Sequence, residues 1–303
     1  MQTNAKNRFT VALGYRPPYE WERILGFLAL RALPGVETVS KGTFHRTIRL
    51  TDKNGRVVSG WISVSIKPEK NVLAVTLSDS LLPVLPQALG RIRNLFDLHC
   101  DPQAVNDSFT AVNGQIPGAF VCGIRVPGCV DPFELCVRAI LGQQITVKAA
   151  GTLAGKFAQV CGFPIETGVG GLTTVFPSAE EIVCLHGPIE NHLGPLGIIT
   201  SRAKAIQSLA TMVAKKEIDF GNDPEIEIKK MIEIPGVGAW TATYIAMRAL
   251  GWTDAFLETD LGIRKALGNK KPNEIRKMSG QWKPWRSYAT MALWDSLHVE
   301  KKI

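Results

Sequence analysis

The sequence predicts an α+β fold, an N-terminal antiparallel β-sheet with flanking helices followed by an all-helical region. Three observations carry this. Within residues 9–100, segments such as Trp61-Ile62-Ser63-Val64-Ser65-Ile66 and Leu73-Ala74-Val75-Thr76-Leu77 alternate at period two. Beyond Asp101-Pro102 that alternation stops and apolar residues recur with a 3.6-residue period. From there on, breaks at Gly187-Pro188, Gly194-Pro195, Asn222-Asp223-Pro224 and Pro235-Gly236 cut the pattern into helix-sized pieces. The predicted domains are 1–110, the sheet, and 111–303, the helical region with a hairpin at 234–240.

In chain order, Pro18-Tyr19-Glu20-Trp21 opens a helix that runs through Leu33 and ends at Pro34-Gly35. His45 to Leu50 reads as a strand. Asp52-Lys53-Asn54-Gly55 supplies residues that tolerate the left-handed region, so a hairpin turn follows. Lys67-Pro68-Glu69-Lys70-Asn71 is a second turn, and a helix is expected from about Leu82 to Leu98. Connections this short favour antiparallel pairing with helices on one face. Val126 to Pro132 is a linker ending in an N-cap, Asp131, with proline at the first helical position. Helices are expected from Phe133 to Leu141 and from Ile145 to Val160, separated by Gly142-Gln143-Gln144. Thr167-Gly168-Val169-Gly170-Gly171 is a loop, and three or four further helices follow. No internal repeat of fixed period is visible.

Composition removes several function classes. The chain has 303 residues, 45% hydrophobic and 20% charged, and no apolar run long enough to span a bilayer. Met1 to Thr10 is polar and lacks the apolar core of a signal peptide, so an intracellular protein is expected. The six cysteines show no CxxC spacing and none follows Cys184, which leaves the C-terminal third without ligands for an iron–sulfur cluster. They read as idle thiols in a reducing compartment. The five histidines form no HxH or HxxxH pair, so no transition-metal site is expected. The net charge is +8 and the pI about 9.2. From Arg264 onward ten basic residues face three acidic ones, a concentration that suits either a solvated helical face or a polyanionic partner.

The chemistry-bearing stretch is Ile234-Pro235-Gly236-Val237-Gly238-Ala239-Trp240-Thr241-Ala242. Two glycines two residues apart let a backbone turn sharply and approach a partner closely. The helix after them offers unpaired N–H groups and a partial positive charge, both suited to phosphate. No side chain in the turn is charged, so any contact falls to the main chain. On the other side of the turn the carbonyls of Ile232, Ile234 and Val237 are oxygen donors for a monovalent or hard divalent cation. On spacing alone the same turn is equally a plain connector between helices. Asp260 stands before a helix opening at Leu261. One reading makes it that helix's N-cap. The other makes it a carboxylate facing an anomeric carbon, where it stabilises an oxocarbenium-like cation and orients or deprotonates water, with Glu258 as the adjacent competitor. Trp240 and Tyr244 lie four apart on one helix face, and Trp282, Trp285, Tyr288 and Trp294 follow. Each alone reads as core. Together beside a carboxylate they would make an electron-rich pocket for flat, cationic ligands.

The string 234–242 followed by Leu257-Glu258-Thr259-Asp260 resembles the helix–hairpin–helix, Gly/Pro-rich, aspartate-containing (HhH-GPD) DNA glycosylases. Within that superfamily the chain is most similar to the bacterial DNA-3-methyladenine glycosylase II family. Matching strings run in order over nearly the whole chain. They are Pro17-Pro18-Tyr19-Glu20-Trp21, Leu25-Gly26-Phe27-Leu28-Ala29, Leu95-Phe96-Asp97-Leu98, Pro127-Gly128-Cys129-Val130-Asp131, Arg138-Ala139-Ile140-Leu141-Gly142-Gln143 and 282–289.

The resemblance implies a set of roles. Asp260 takes the essential aspartate's position. Trp240, Tyr244, Trp294 and Phe27 take those of the base pocket. Gly236, Gly238 and Thr241 take those of the DNA-backbone contacts. The carbonyls of Ile232, Ile234 and Val237 match donors to a structural monovalent cation, and no other cofactor is implied. The family bends DNA, flips the damaged nucleotide out and fills the gap with a wedge. At that wedge this chain carries Gln144 where a close relative carries leucine; a glutamine fills space and can also hydrogen-bond the orphaned base. Thr259 stands where an acidic residue precedes the key aspartate. Two residues after the second hairpin glycine, where 8-oxoguanine enzymes of this superfamily carry a lysine nucleophile, stands Trp240. Without that amine no Schiff base forms and the strand is not cut.

The implied reaction is therefore monofunctional. It is hydrolysis of the N-glycosidic bond of alkylated purines such as 3-methyladenine and 7-methylguanine in duplex DNA, the first step of base excision repair. The implied setting is a bacterial cytoplasmic monomer acting at the nucleoid, with no membrane partner. Two alternatives stand beside it: a glycosylase of the same fold for deaminated or oxidised bases, and a non-catalytic DNA-binding protein that uses only the hairpin.

Overall fold

The computed structural model describes residues 7–110 and 120–299. The expected boundary at 110/111 adjoins the stretch 111–119; that stretch, the polar start of the chain before residue 7 and Lys301–Lys302 lie outside the described residues.

The first strand, β1 (Arg8–Gly14), precedes helix α1 (Trp21–Arg31), and then come β2 (Glu37–Ser40), β3 (Thr43–Thr51), β4 (Val57–Lys67) and β5 (Val72–Ser78). They form one five-stranded antiparallel sheet in the order β1-β5-β4-β3-β2. The turns are built as their residues dictate. Asp52 Oδ1 accepts from the N–H groups of Asn54 and Arg56, Gly55 has φ +78°, and Asn71 has φ +51°. Helix α2 (Leu85–Leu95) begins later than expected, because residues 79–84 wind as a 3₁₀ turn with Pro83 inside it.

The helical part runs α3 (Pro102–Thr110), α4 (Pro132–Leu141) and α5 (Val147–Cys161), then a minimal hairpin, β6 (Phe163–Pro164) with β7 (Thr174–Val175). After it come α6 (Ala179–Val183), α7 (Ile189–Leu193), α8 (Thr200–Ala214), α9 (Pro224–Ile232) and α10 (Ala239–Ala249). The last three are α11 (Leu261–Ala266), α12 (Pro272–Ser279) and α13 (Arg286–Val299). The side chain of Asp131 caps α4 as expected. Helix α5 starts at Val147 rather than Ile145, because Thr146 caps it and Gln144 takes φ +57°. No helix among the described residues is long and apolar enough to cross a membrane.

Three apolar cores form. One lies under the sheet, around Phe44, Ile62, Leu73 and Phe96. A second joins α4, α5, α8 and α10 through Phe133, Phe157, Ile206 and Ile245. The third draws on residues before and after the undescribed stretch, Phe109 and Phe256 among them, around Trp282 and Tyr288. Trp282 and Tyr288 are thus core residues. Phe27 packs on the first and third cores and Tyr244 on the second and third, so both stand where cores meet.

A buried ionic network fastens the sheet to the helices. Arg46 on β3 donates to Glu37 (2.9 Å) and to Glu134 of α4 (2.7 Å). Arg138, one turn along α4, donates to both carboxylates and to the carbonyl of Arg31 at the end of α1. Every ion in it has a partner, the condition for burying charge at tolerable cost. The two arginines hold Glu37 below the ordinary carboxylate range although burial pushes it the other way.

Candidate active site

Asp260 is the N-cap of α11 and at once an acceptor for two indoles of an aromatic cluster. Its Oδ1 accepts from the N–H of Ile263 (2.9 Å) and from Trp294 Nε1 (2.9 Å). Its Oδ2 accepts from Trp240 Nε1 (3.2 Å). Three N–H donors converge on one carboxylate, the arrangement an anion accepts. The cap reading holds, and the same carboxylate is also bonded to two indoles. Glu258, the sequence competitor, is instead held by Arg276 (2.6 and 3.1 Å).

The four expected pocket aromatics come together. Trp240 and Tyr244 stack at 5.4 Å with their planes 7° apart, and Tyr244 meets Trp294 at 6.4 Å. Phe27 is reached through arginines: the Arg31 guanidinium lies 3.7 Å from its ring centroid and the Arg248 guanidinium 4.8 Å. Arg248 Nη1 donates to the Tyr244 hydroxyl (2.7 Å), and the charge of Arg31 also acts on that hydroxyl. Burial raises the Tyr244 phenol, but Arg248, Arg31 and Arg138 outweigh it and hold the group below its usual value. Burial, with Arg248 and Arg138 pushing the same way, brings Arg31 down to about 10. Neither Arg31 nor Arg248 has a carboxylate partner among the described residues. Sequence reading passed over both. Its available signal was spacing, since each lies one helical turn after a pocket aromatic, Arg31 after Phe27 and Arg248 after Tyr244.

Gly262 was also missed. A Cβ there would stand 3.0 Å from Asp260 Oδ1 and 3.1 Å from Trp294 Cδ1, so the bare backbone lets indole and carboxylate meet.

At the hairpin, Gly236 has φ +92°, which only glycine takes without strain. Gly238 is the N-cap of α10 and brings no side chain to the helix start. The first N–H to bond back within this helix is that of Ala242, to the Gly238 carbonyl, so the N–H groups ahead of it have no intrahelical partner. A Cβ on Gly238 would meet nothing within 4 Å, so the approach is open. Thr241 is buried, and its hydroxyl accepts from Gln143 Nε2 (3.0 Å), which also donates to the Gly236 carbonyl (2.9 Å). Gln143 thus pins the loop carrying Gln144 to the hairpin, and Arg202 donates to the Gln143 carbonyl. Gln144 itself is exposed.

The Ile234 carbonyl accepts from Val237 N–H (2.9 Å), leaving one lone pair for a cation beside those of Ile232 and Val237. The donor set is neutral oxygen, which suits a singly charged ion. The described residues contain no group of three or more His, Cys, Asp or Glu able to hold a metal ion. All six thiols are free, and burial pushes Cys129 up to about 12 and Cys100 and Cys161 up to about 11.

Known proteins share this architecture. The AlkA N-terminal domain family matches residues 10–131, and the HhH-GPD superfamily base excision DNA repair protein family matches 137–277. DNA-3-methyladenine glycosylase 2 of Escherichia coli (strain K12) is 35% identical over 290 residues, covering 93% of this chain and 95% of that protein. The probable bifunctional transcriptional activator/DNA repair enzyme AlkA of Mycobacterium tuberculosis (strain ATCC 25618 / H37Rv) is 37% identical over 97% of this chain, which spans 58% of that relative's length. Among solved structures, a 3-methyladenine DNA-glycosylase from Archaeoglobus fulgidus superposes with a TM-score of 0.74 at 20% identity, covering 94% of this chain and 97% of that one. It shares the fold.

Proposed function

This chain belongs to the HhH-GPD superfamily of base excision DNA repair proteins, and from that premise we propose that it is a monofunctional DNA glycosylase for alkylated purines in duplex DNA. The observation that carries the proposal is the Asp260 carboxylate, held by the indole N–H groups of Trp240 and Trp294, two of three aromatics that pack together there. The hairpin N–H groups hold the backbone of the damaged strand, Gln144 fills the space the nucleotide leaves, and the base enters between the aromatic walls.

A purine alkylated at N3 or N7 carries positive charge and departs neutral, so no acid need protonate it. The chemistry left to the protein is to stabilise the sugar cation and orient water. A carboxylate ~4 Å from that cation supplies about 4 kcal/mol at an effective dielectric of about 20, or roughly three orders of magnitude in rate. Trp240 stands where a Schiff-base enzyme would need an amine, so the product is an abasic site in an intact strand.

The two arginines behind Phe27 set where selectivity arises. A unit charge ~7 Å from another costs about 2 kcal/mol at an effective dielectric of about 20, so they offset the aromatic attraction for a cationic base. Damaged bases are then chosen by how readily they leave rather than by how tightly they bind. The neutral carbonyls of Ile232, Ile234 and Val237 would hold a monovalent cation that braces the hairpin.

The test is incubation with methylated duplex DNA, with and without borohydride. Released 3-methyladenine and 7-methylguanine, with no trapped covalent adduct, support the proposal. No base release, or a borohydride-trapped adduct, overturns it.

A further inference from the structure

Beyond the cleft and hairpin, one more feature of the surface has a partner written into its chemistry. An open groove of about 490 Å³ runs beside α5, between that helix and the turn leading into α8, and Lys148, Lys156 and Arg202 are among the residues lining it. No acidic side chain lines it. Helix α5 itself contains no aspartate or glutamate in its fifteen residues. Lys148, Thr152 and Lys156 are four apart, so they form one exposed row about 12 Å long. That is between three and four nucleotides of rise along one strand.

Position identifies which phosphates the row meets. Helix α5 starts three residues after Gln144, and Arg202 ties the groove to the wedge loop through the Gln143 carbonyl. The Gln143 side chain ties the same loop to the hairpin at Gly236 and Thr241. The wedge loop is therefore bonded to the hairpin through the Gln143 side chain and to the groove through the Gln143 carbonyl. A residue inserted into a duplex has the damaged strand on one side and the intact strand on the other. Exposed Ile145, at the head of the row, also lines the groove.

We propose that this groove is a second DNA-backbone site, which binds phosphates of the strand opposite the lesion through Lys148 and Lys156. It rests on the reading of the hairpin as holding the damaged strand. Holding both strands on either side of the wedge keeps the duplex open while the nucleotide is out.

The experiment measures equilibrium binding of the full chain to a duplex with a lesion-site abasic analogue, comparing wild type with the Lys148→Ala/Lys156→Ala pair. Uncharged methylphosphonates are placed near the lesion on one strand or the other. The double variant should lower the slope of log K against log salt by about 2 and weaken binding about tenfold at 200 mM salt. Opposite-strand methylphosphonates should weaken the wild type and leave the variant little changed, whereas those on the damaged strand should weaken both equally. An unchanged salt slope, or coupling of the lysines to the damaged strand, overturns the proposal. Base release by the wild type from methylated DNA is measured in parallel. Its absence would instead defeat the glycosylase reading, so the two failures are told apart.

Discussion

Under the proposed function one carboxylate, Asp260, would serve folding and chemistry together. The bond to Ile263 N–H caps a six-residue helix, and Trp240 and Trp294 bind the same group. Gly262 makes this geometry possible. Replacing it with alanine should lower base-release rates roughly ten- to hundredfold, because displacements well under 1 Å at a reacting group are costly. Melting temperature should hold, since the helix gains about 1 kcal/mol of propensity that offsets the contact; kinetics and calorimetry on Gly262→Ala check both.

Farther from the cleft, Asp97 accepts from Val126 N–H and the Tyr288 hydroxyl, and burial pushes its carboxyl up to about 6. A carboxyl whose pKa is raised on folding binds more protons folded than unfolded. Its contribution to stability is therefore greatest below the unfolded value of ~4 and is lost as pH rises towards about 6. Asp97→Asn should remove that decline, because asparagine tolerates the φ of +50° seen there and keeps an acceptor. Denaturant melts of both proteins at pH 4.5 and 7, read as a difference, measure it; an equal decline in the two would contradict the assignment. These residue-scale features were unevenly legible. The sequence offers Asp260 as cap or as catalyst without deciding, since neither tryptophan that binds it is near it in sequence. The arginines behind Phe27 lie on a readable spacing, yet their burial depends on two helices meeting.

At the scale of elements, the hairpin and the wedge loop form one unit. Gln143 is the link, and its two bonds reach residues more than ninety positions away. Gln143→Ala should leave stability within about 2 kcal/mol, the worth of two ordinary hydrogen bonds. It should slow base flipping roughly tenfold, read from a fluorescent base beside the lesion, because the wedge is no longer registered to the backbone anchor. The strands separate in the same way into local and distant. β3, β4 and β5 are joined by short turns whose residues announce them. β1 and β2 are the two edges of the sheet, and β1 pairs only with β5, which arrives some sixty residues later. A four-residue strand, and one whose partner is remote, carry too little local pattern to be read. The late start of α5 follows from Thr146 acting as cap, a role that Ile145 before it and Val147 after it hide.

At the scale of the molecule, Phe27 and Tyr244 stand where cores meet, and the ionic network of Arg46, Glu37, Glu134 and Arg138 ties the sheet to α4. Arg138 also holds the last turn of α1 through the Arg31 carbonyl, and α1 carries Phe27. Arg46→Met should cost about 3–5 kcal/mol, because it leaves two buried carboxylates facing one guanidinium. Chemical denaturation checks this, and a change under 1 kcal/mol would mean the network is dispensable. No periodicity or motif hints at these partners, which stand up to 101 residues apart, between Glu37 and Arg138. What the chain's own pattern does convey is the change from sheet to helix and the hairpin–aspartate pair. The most direct measurement of the central claim is single-turnover base release from methylated duplex DNA by Asp260→Asn. Asparagine caps a helix as well as aspartate does, so folding and DNA affinity should be preserved while the rate falls by about three orders of magnitude. A variant that released bases at the wild-type rate would contradict the account.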